Sequence, residues 1–475
     1  STLVTRGHAT GVVVATGGAT EIGRIADLLR AARQAKTPLQ QRLARFSRRI
    51  ALAVLGICGI VFATGLLQPV LFMFLMAVSL AVAAVPEALP AVITLALGLG
   101  ARRLGNRNAL VRRLPAVESL GSVTYICADK TGTLTENSMT LAKVTTSDAE
   151  YEGLSPEIPD ALRRYLGEVL ALCNDVDAET SRDDPTEVAL FEAALAAGFD
   201  KAELESMMPR VAELPFEAER RCMVTLHRSD KGLRALVKGA PERVIDGCVD
   251  RLTNDGRAPL DNMVLRQADE LASRGYRVLA LACRDDFAGE DESTIPLNDG
   301  WTFLGLVGLI DPPRAGVVDA IRRCRTAGIV PVMLTGDHPA TAAAIATELG
   351  IPSGDEQSLT GPALMVMSDE ELEARVESIR VYARVDPEQK IRIVEALQAK
   401  GHFVAMTGDG VNDAPALKAA TIGVAMGQRG TEVAREAAEV VLLDDSFETI
   451  VAAVGEGRRI YDDIRKFIRY TMTSN

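Results

Sequence analysis

The residues best suited to chemistry form the segment Asp129-Lys130-Thr131-Gly132-Thr133. An apolar run over residues 123–128 precedes it and predicts a buried parallel strand. Asp129 would then stand at the carboxyl end of a sheet strand, where open α/β sheets bind their ligands. A carboxylate there, beside the amides and hydroxyls of a tight turn, can attack a phosphoryl group and carry it as an acyl phosphate. The alternative is a strand that ends in an ordinary polar turn.

A second segment could hold the oxygens of that phosphoryl group. Residues 328–334 predict another strand, and Thr335-Gly336-Asp337 follows it directly. A helix is predicted after this turn, from about Pro339 to Leu349. The Thr335 hydroxyl and the Gly336 amide, at the end of a strand, suit a phosphate oxygen.

Two more segments supply charge. Lys390 lies at the start of a helix predicted to open at Asp386-Pro387, where an ammonium group can offset the charge of a transferring phosphoryl group. A strand predicted over residues 402–406 leads to Asp409 and Asp413, which are four residues apart around a glycine turn and can hold Mg²⁺. Any one segment could be a plain loop, but the ordered set predicts a phosphotransfer centre of the haloacid-dehalogenase type.

Two apolar stretches, residues 50–67 and 70–101, are long enough to span a bilayer. Arginines lie outside both stretches and none lies between them: Arg42, Arg45, Arg48 and Arg49 precede the first, and Arg102, Arg103 and Arg107 follow the second. The positive-inside rule therefore predicts a transmembrane hairpin with both ends in the cytosol. The alternative is a buried hairpin in a soluble protein.

The second stretch contains a glutamate, Glu87, between two prolines in the segment 86–90. Each proline removes an amide donor, so the helix is expected to unwind between them. The freed carbonyls, from about Val82, Ala83 and Val85, would join the Glu87 carboxylate in an oxygen-rich site for a hard cation. The alternative is an incidental proline kink with a tolerated glutamate.

Residues 143–303 are predicted to form an inserted unit with its own core. Helical patterns occur over 161–174 and 185–198, and strand patterns over 223–228 and 233–238. Lys238 and Gly239 at a strand end suit an anionic or aromatic ligand, and an exposed Phe216 would offer a face to adenine. From the residues alone, Phe216 could equally be a core side chain and Lys238 a solvated charge.

Composition sets broad limits on function. A chain of 475 residues predicts three or four units. The net charge of −12, from 64 acidic and 52 basic residues, argues against general nucleic-acid binding. The seven cysteines form no C-x-x-C pair, which indicates reduced thiols, and only four histidines are present, which argues against a histidine-built metal site.

These motifs together resemble the P-type ATPases, cation pumps that are phosphorylated on the aspartate of D-K-T-G-T. The segment Pro90-Ala91-Val92-Ile93-Thr94 is similar to the calcium-transporting branch, although Ala88 stands where calcium pumps have glycine. The resemblance implies an α/β fold: a haloacid-dehalogenase-like Rossmannoid phosphorylation domain, an inserted α+β nucleotide-binding domain and a transmembrane helical hairpin.

The implied activity is ATP-driven cation transport through an aspartyl phosphate, with Ca²⁺ as the expected ion and ATP and Mg²⁺ as cofactors. The alternatives are a pump for Mn²⁺, Mg²⁺, Na⁺ or H⁺, a membrane-anchored phosphohydrolase of the dehalogenase type, and a non-catalytic regulatory fragment. The implied partners are the transported cation, the lipid bilayer and the remainder of the pump chain, without nucleic acid. The implied location is a bacterial plasma membrane, with several spans and with most of the chain in the cytosol.

The resemblance also assigns roles to residues. The catalytic set is Asp129, Lys130, Thr131, Thr335, Gly336, Asp337, Lys390, Asn412 and Asp413. The Mg²⁺ ligands are Asp129, Thr131 and Asp409. The nucleotide set is Glu187, Phe216, Arg221, Lys238, Gly239, Arg277, Thr335, Gly336, Asp337, Arg384 and Lys390. The ligands of the transported cation are Val82, Ala83, Val85 and Glu87.

Domain boundaries follow from the same resemblance: the end of an actuator domain at 1–30, a stalk at 31–49, the third and fourth membrane helices at 50–104, the phosphorylation domain at 105–142 and 304–455, the nucleotide domain at 143–303, and the stalk of the fifth membrane helix at 456–475. The family's T-G-E-S loop does not occur in the sequence. We therefore expect a partial chain that forms the phosphoenzyme but is incomplete for turnover.

Overall fold

The computed structural model describes residues 10–31, 48–49, 52–53, 55–60, 70–83, 89–176, 184–217, 219–230, 232–254, 256–261, 263–287 and 300–474. Two β-sheets organise this part of the chain, one of eight strands and one of nine. Helices cover both faces of the eight-stranded sheet, so its strands are buried on both sides.

The helices in the described residues are α1 Glu21–Ala31, α2 Val70–Ala83, α3 Leu89–Gly105, α4 Pro115–Ser122, α5 Asp160–Leu172, α6 Pro185–Ala196, α7 Lys201–Met207, α8 Pro241–Asp246, α9 Met263–Ser273, α10 Val317–Thr326, α11 Pro339–Glu348, α12 Gly361–Val366, α13 Asp369–Arg375, α14 Pro387–Ala399, α15 Ala414–Ala419, α16 Glu432–Ala437 and α17 Phe447–Ser474.

The strands in the same residues are β1 Ala109–Val111, β2 Tyr125–Asp129, β3 Thr140–Thr145, β4 Glu150–Glu152, β5 Arg210–Leu214, β6 Cys222–Ser229, β7 Gly232–Gly239, β8 Cys248–Thr253, β9 Gly256–Pro259, β10 Arg277–Phe287, β11 Trp301–Ile310, β12 Val330–Thr335, β13 Ser358–Thr360, β14 Val381–Ala383, β15 Val404–Gly408, β16 Ile422–Met426 and β17 Val440–Leu442.

The eight-stranded sheet has the order β1-β17-β16-β15-β2-β12-β14-β13, and its strands are parallel except for the edge strand β1. Side chains along β2 alternate between the two cores: Ile126 and Ala128 pack on one face, and Tyr125 and Cys127 on the other. This double burial explains the continuous apolar run that predicted the strand. The strand ends at Asp129, in the middle of the sheet.

The nine-stranded sheet is formed by β3 to β11, and its pairs are antiparallel except for β8 with β11. Strand β11 pairs with β3, so both belong to this sheet. The predicted boundaries at 142/143 and 303/304 therefore fall inside two paired strands, and the run 304–310, which the resemblance assigns to the phosphorylation domain, lies in the second sheet. Strand pairing between distant segments, rather than local pattern, decides this division.

The predicted membrane hairpin lies partly outside the described residues, as do Val85 and Glu87 of the predicted cation site. Val82 and Ala83 are the last residues of α2, and α3 runs on to Gly105. No helix in the described ranges is both long enough and apolar enough to cross a bilayer.

Helix α17 begins at Phe447, earlier than the stalk predicted from residue 456, and connects α3 and α4 to the eight-stranded sheet. Arg103 of α3 lies 3.1 Å from Glu456 of α17 (Nη1 to Oε1). The backbones of α4 and α17 touch where two glycines meet: a Cβ on Gly121 would lie 2.5 Å from the Gly457 carbonyl oxygen, and a Cβ on Gly457 would lie 2.5 Å from the Gly121 amide nitrogen.

This contact predicts opposite effects for two glycines of one helix. Gly457→Ala should lower the free energy of unfolding by about 1–3 kcal/mol, because the added methyl group forces α4 and α17 apart. Gly455→Ala is the matched control, since among the described residues no atom beyond the adjacent backbone of α17 lies within 4 Å of its Cβ position; it should leave stability unchanged or raise it by up to about 1 kcal/mol. Chemical unfolding of the two variants measures the difference, and equal stabilities would contradict the close packing.

Candidate active site

The candidate site lies at the carboxyl edge of the eight-stranded sheet, where three neighbouring strands end. Strand β2 ends at Asp129, and β12 and β15 flank it in parallel. Each flanking strand ends within the same tripeptide sequence: β12 ends at Thr335 of Thr335-Gly336-Asp337, and β15 ends at Gly408 of Thr407-Gly408-Asp409. Because the strands are parallel, all three ends meet at one edge. The sheet thus brings together segments that are far apart in the sequence.

Lys390 is held between two buried carboxylates. Its Nζ donates to Oδ1 of Asp129 at 2.7 Å and to Oδ1 of Asp413 at 2.6 Å. All three side chains are buried. The helix that carries Lys390, α14, starts at a fixed point because Asp386 and Gln389 form a capping box: the Gln389 amide donates to Asp386 Oδ1 at 2.8 Å, and Gln389 Oε1 accepts from the Asp386 amide at 3.1 Å.

Burial and charge shift the pKa values in this cluster. Burial raises the pKa of Asp129 to about 7; Lys390 opposes that rise and Asp413 adds to it. Burial acts to lower the pKa of Lys390, but the two carboxylates outweigh it and raise that pKa, so the ammonium stays charged. Burial, followed by the charge of Asp413, also raises the pKa of Asp409. Ionising all three carboxylates beside one ammonium group is therefore unfavourable unless a further positive charge binds.

Three aspartates place carboxylate oxygens close enough together to bind one metal ion. Asp129, Asp409 and Asp413 each place a carboxylate oxygen within 4.8 Å of the other two. Lys390 bonds to Asp129 and Asp413, which leaves Asp409 with the least compensation. Carboxylate oxygens are the ligands that Mg²⁺ prefers, and three carboxyl groups beside one ammonium group favour a further cation. The residues present therefore fit Mg²⁺.

The turn after Asp129 is fixed against Asp409. Gly132 has φ of 73°, and a Cβ there would lie 2.7 Å from Asp409 Oδ2, so a side chain is excluded both by conformation and by space. Arg314 clamps the same turn, because its Nη2 donates to the Gly132 carbonyl at 3.0 Å and its Nε to that of Thr135 at 2.9 Å. Thr131 is half-buried in this turn.

Lys130 and Asp337 form a second ion pair at the site. Lys130 Nζ lies 2.6 Å from Asp337 Oδ2 and 3.6 Å from Asp311 Oδ2, so Lys130 joins the β12 turn to the Asp311 segment. The Arg384 amide donates to the Asp337 carbonyl at 3.2 Å, and Arg384 is exposed with φ of 55°. Gly336 has open space where a Cβ would stand.

Three other members of the predicted set differ in their surroundings. The Thr335 side chain is buried, and its hydroxyl accepts the Asp337 amide at 3.1 Å. Asp413 Oδ2 accepts the Gly410 amide at 3.1 Å, which closes the turn that carries both aspartates. Asn412 is exposed.

The predicted nucleotide residues gather on the nine-stranded sheet. Lys238, at the end of β7, is buried and pairs with Glu187 of α6. Arg277, at the start of β10, donates from Nη1 to Thr186 Oγ1 at 2.8 Å, beside Glu187. A Cβ on Gly239 would lie 2.5 Å from Cβ of Cys222, its partner in the antiparallel pair of β7 and β6, so glycine is needed there.

Phe216 and Arg221 lie in the connection between β5 and β6. The Phe216 side chain is 60% exposed, which excludes the core role that composition alone allowed. Arg221 has φ of 58°, and its Nη2 lies 2.6 Å from Glu242 Oε1 in an exposed ion pair. This group and the Asp129 cluster are carried by different sheets.

Several residues that contact the site were not singled out by the sequence. Thr407 Oγ1 accepts the Asp129 amide at 3.3 Å, and the repeated Thr-Gly-Asp pattern was a usable signal for it. The buried carboxylate of Asp311 accepts from Thr135 Oγ1 at 2.5 Å. Thr133 is also buried, and its hydroxyl has no hydrogen-bond partner among the described residues. These bonds join segments that no local pattern connects.

The buried ion pairs predict a large effect at Lys390. Lys390→Met should lower the free energy of unfolding by about 3–5 kcal/mol in the presence of a metal chelator, because two buried carboxylates lose their counter-charge. Mg²⁺ should restore part of that stability. Lys466→Met is the control, because its exposed pair with Asp463 contributes at most about 1 kcal/mol. Equal denaturation midpoints for the two variants would contradict the buried pairing.

Comparisons with known proteins agree with this geometry. Residues 164–316 match the family described as "P-type ATPase, cytoplasmic domain N". The chain is 46% identical over 511 residues to "Probable cation-transporting ATPase F" of Mycobacterium tuberculosis, covering 100% of this chain and 56% of the relative. It is 44% identical over 508 residues to "Calcium-transporting ATPase" of Bacillus subtilis, with the same two coverages of 100% and 56%. The chain thus spans about half the length of the curated relatives it matches.

Solved structures show the same fold. A crystal structure of a zinc-transporting PIB-type ATPase superposes with a TM-score of 0.69 at 25% identity, covering 97% of this chain and 62% of that one. A second crystal structure of a zinc-transporting PIB-type ATPase, in a different state, gives a TM-score of 0.68 at 24% identity, covering 96% and 61%. Relatives aligned along the whole chain, the matched cytoplasmic domain and the common fold show that this chain belongs to the P-type ATPase family.

Proposed function

We propose that this chain is the phosphorylating part of an ATP-driven cation pump, with Asp129 as the residue that accepts the phosphoryl group. The observation that carries the proposal is the buried cluster in which Lys390 bonds to both Asp129 and Asp413 at the carboxyl edge of the sheet. The names of the relatives, a cation-transporting and a calcium-transporting ATPase, support the same function.

In the proposed step an Asp129 carboxylate oxygen attacks the terminal phosphorus of ATP. The new oxygen–phosphorus bond forms as the bond from that phosphorus to the bridging oxygen breaks, and ADP leaves with the bridging oxygen. Lys390 holds Asp129 in place, its charge opposes the rise in the Asp129 pKa and so favours the ionised carboxylate, and the same charge offsets the phosphoryl oxygens. Asp129, Thr131 and Asp409 would hold Mg²⁺, which when bound supplies further positive charge.

The residues around Asp129 have distinct proposed roles. Gly336 has open space at its Cβ position, and its amide, with the Thr335 hydroxyl, would bind phosphoryl oxygens. The Thr133 hydroxyl, which has no partner in the part of the chain that the structure describes, is a further donor for them. Lys130 orients the Thr335–Asp337 turn through its pair with Asp337, rather than acting on Asp129 directly. Asn412 and Asp413 support the Asp409 turn.

The second sheet would bind the nucleotide. The exposed Phe216 ring offers an apolar face for adenine, and Lys238 with Glu187 lines the buried side of the same sheet. Arg221, Gly239, Arg277 and Arg384 would complete the nucleotide set. In this proposal, adenine rests on one sheet while the terminal phosphate reaches the edge of the other.

The transported ion and the membrane also belong to this proposal. The whole protein would be a multi-pass protein of a bacterial plasma membrane and would move Ca²⁺, with ligands from Val82, Ala83, Val85 and Glu87 and from the remainder of the pump chain. The name of the Bacillus subtilis relative supports Ca²⁺. The chemistry of a carboxylate with backbone carbonyls supports a hard cation of this kind.

The phosphoryl acceptor can be tested directly. The full-length protein incubated with γ-labelled ATP and Mg²⁺ should acquire label that survives acid and is released by hydroxylamine, because an acyl phosphate has that reactivity. Asp129→Asn should abolish the label, since an amide oxygen is a poor nucleophile. Asp462→Asn, on the exposed face of α17, should label like the wild type. Label that persists in Asp129→Asn would contradict the proposal.

A further inference from the structure

The connection between β16 and α16 is held by one buried carboxylate. Asp445 Oδ1 accepts the amides of Gly427 at 2.6 Å and Gln428 at 3.0 Å, and Oδ2 accepts the amide of Arg429 at 2.9 Å. Asp445 is only 2% exposed and has φ of 50°. Three donors on one carboxylate fix the path of the segment Gly427–Thr431, which we call the 427–431 loop.

The far end of the 427–431 loop contacts the candidate metal ligand. Thr431 donates twice to the backbone carbonyl of Asp409, from its amide at 2.8 Å and from its hydroxyl at 3.2 Å. The same hydroxyl accepts the Ala434 amide at 3.3 Å and caps α16. Thr431 therefore holds Asp409 by the backbone carbonyl of Asp409. The Asp409 carboxylate stays available to a cation.

The loop also reaches the other side of the site. The Arg429 guanidinium donates to the carbonyl of Glu136, just beyond the turn that follows Asp129. The loop is tightly packed at two glycines. A Cβ on Gly430 would collide with the Met426 carbonyl oxygen, and a Cβ on Gly427 would lie 2.5 Å from the Leu442 carbonyl oxygen. The loop thus joins the Asp409 turn and the Asp129 turn through one tightly packed path.

We propose that Asp445 is a positioning residue for Asp409, acting through the 427–431 loop to set the Mg²⁺ ligand against Asp129. This inference rests on the proposed function, because it requires that Asp129 and Asp409 both hold Mg²⁺. Groups that orient metal ligands from outside typically affect metal affinity on the order of tenfold or more when they are lost. Asp445 touches no reacting atom, so its effect should appear as a weakened affinity for Mg²⁺.

The experiment measures the half-saturating Mg²⁺ concentration by isothermal titration calorimetry at one temperature, with the full-length protein and without nucleotide. Asp445→Asn retains a side chain suited to a positive φ, but its amide group faces at least one backbone donor and cannot accept from it. We expect the half-saturating Mg²⁺ concentration to rise on the order of tenfold. Asp444→Asn is the control for loss of a neighbouring charge, because Asp444 bonds to Thr449 and Asn108 rather than to the loop; it should leave that concentration unchanged.

A second pair of variants tests the path without changing any charge. Thr431→Val removes the hydroxyl bond to Asp409, and Thr431→Ser keeps it. We expect weaker Mg²⁺ binding only in Thr431→Val, and this pair decides the matter if Asp445→Asn does not fold.

Three results would overturn the inference. Asp445→Asn could melt at a lower temperature yet keep the wild-type half-saturating Mg²⁺ concentration, in which case Asp445 only supports the fold. Asp444→Asn could weaken Mg²⁺ binding as much as Asp445→Asn, which would make charge rather than position the cause. A wild-type protein that does not bind Mg²⁺ would contradict the metal site itself, and that failure is visible before any variant is compared.

Discussion

The ammonium group of Lys390, held between Asp129 and Asp413, is the interaction on which the site depends. Two buried carboxylates this close together could not both remain ionised without a cation between them. Asp409 adds a third acidic group that Lys390 does not reach. The site thus contains one positive charge, on Lys390, and a second positive charge would stabilise it. The three acidic groups therefore favour binding of a divalent cation together with an anionic substrate.

The fold meets this constraint by bringing distant segments to one edge of a parallel sheet. Strand β2 places Asp129, the capping box at Asp386 sets where the Lys390 helix begins, and the Gly410 turn sets Asp413. Arg314 and Asp311 tie the Asp129 turn to the segment that returns from the second sheet. A movement of the second sheet would therefore be transmitted to the turn that follows Asp129.

Sequence reasoning succeeded where the physical cause is local. The buried strand before Asp129 was predicted over residues 123–128 and lies at Tyr125–Asp129, because a parallel central strand must be apolar on both faces. The start of the helix at Asp386-Pro387 was also predicted, because the capping aspartate and the proline are neighbours in the sequence. The exposure of Phe216 needed the structure, because composition allowed both a core and a surface position.

What could not be predicted depends on contacts between distant residues. The assignment of β11 to the second sheet follows from its pairing with β3 and β10. The pairing of Lys130 with Asp337 and the three amides on Asp445 join segments with no common pattern. The early start of α17 at Phe447, by contrast, had a usable local signal, because Ser446 caps the helix and its Oγ accepts the Glu448 amide at 3.2 Å.

The most direct test of the account is to locate the phosphorylated residue chemically. Borohydride reduces an acyl phosphate to an alcohol, so phosphorylated protein treated with it should yield homoserine at position 129 when its peptides are sequenced by mass spectrometry. We expect that conversion at Asp129, and only after incubation with ATP and Mg²⁺. If Asp129 remained unmodified while homoserine or phosphate appeared at another residue, that result would contradict phosphorylation of Asp129.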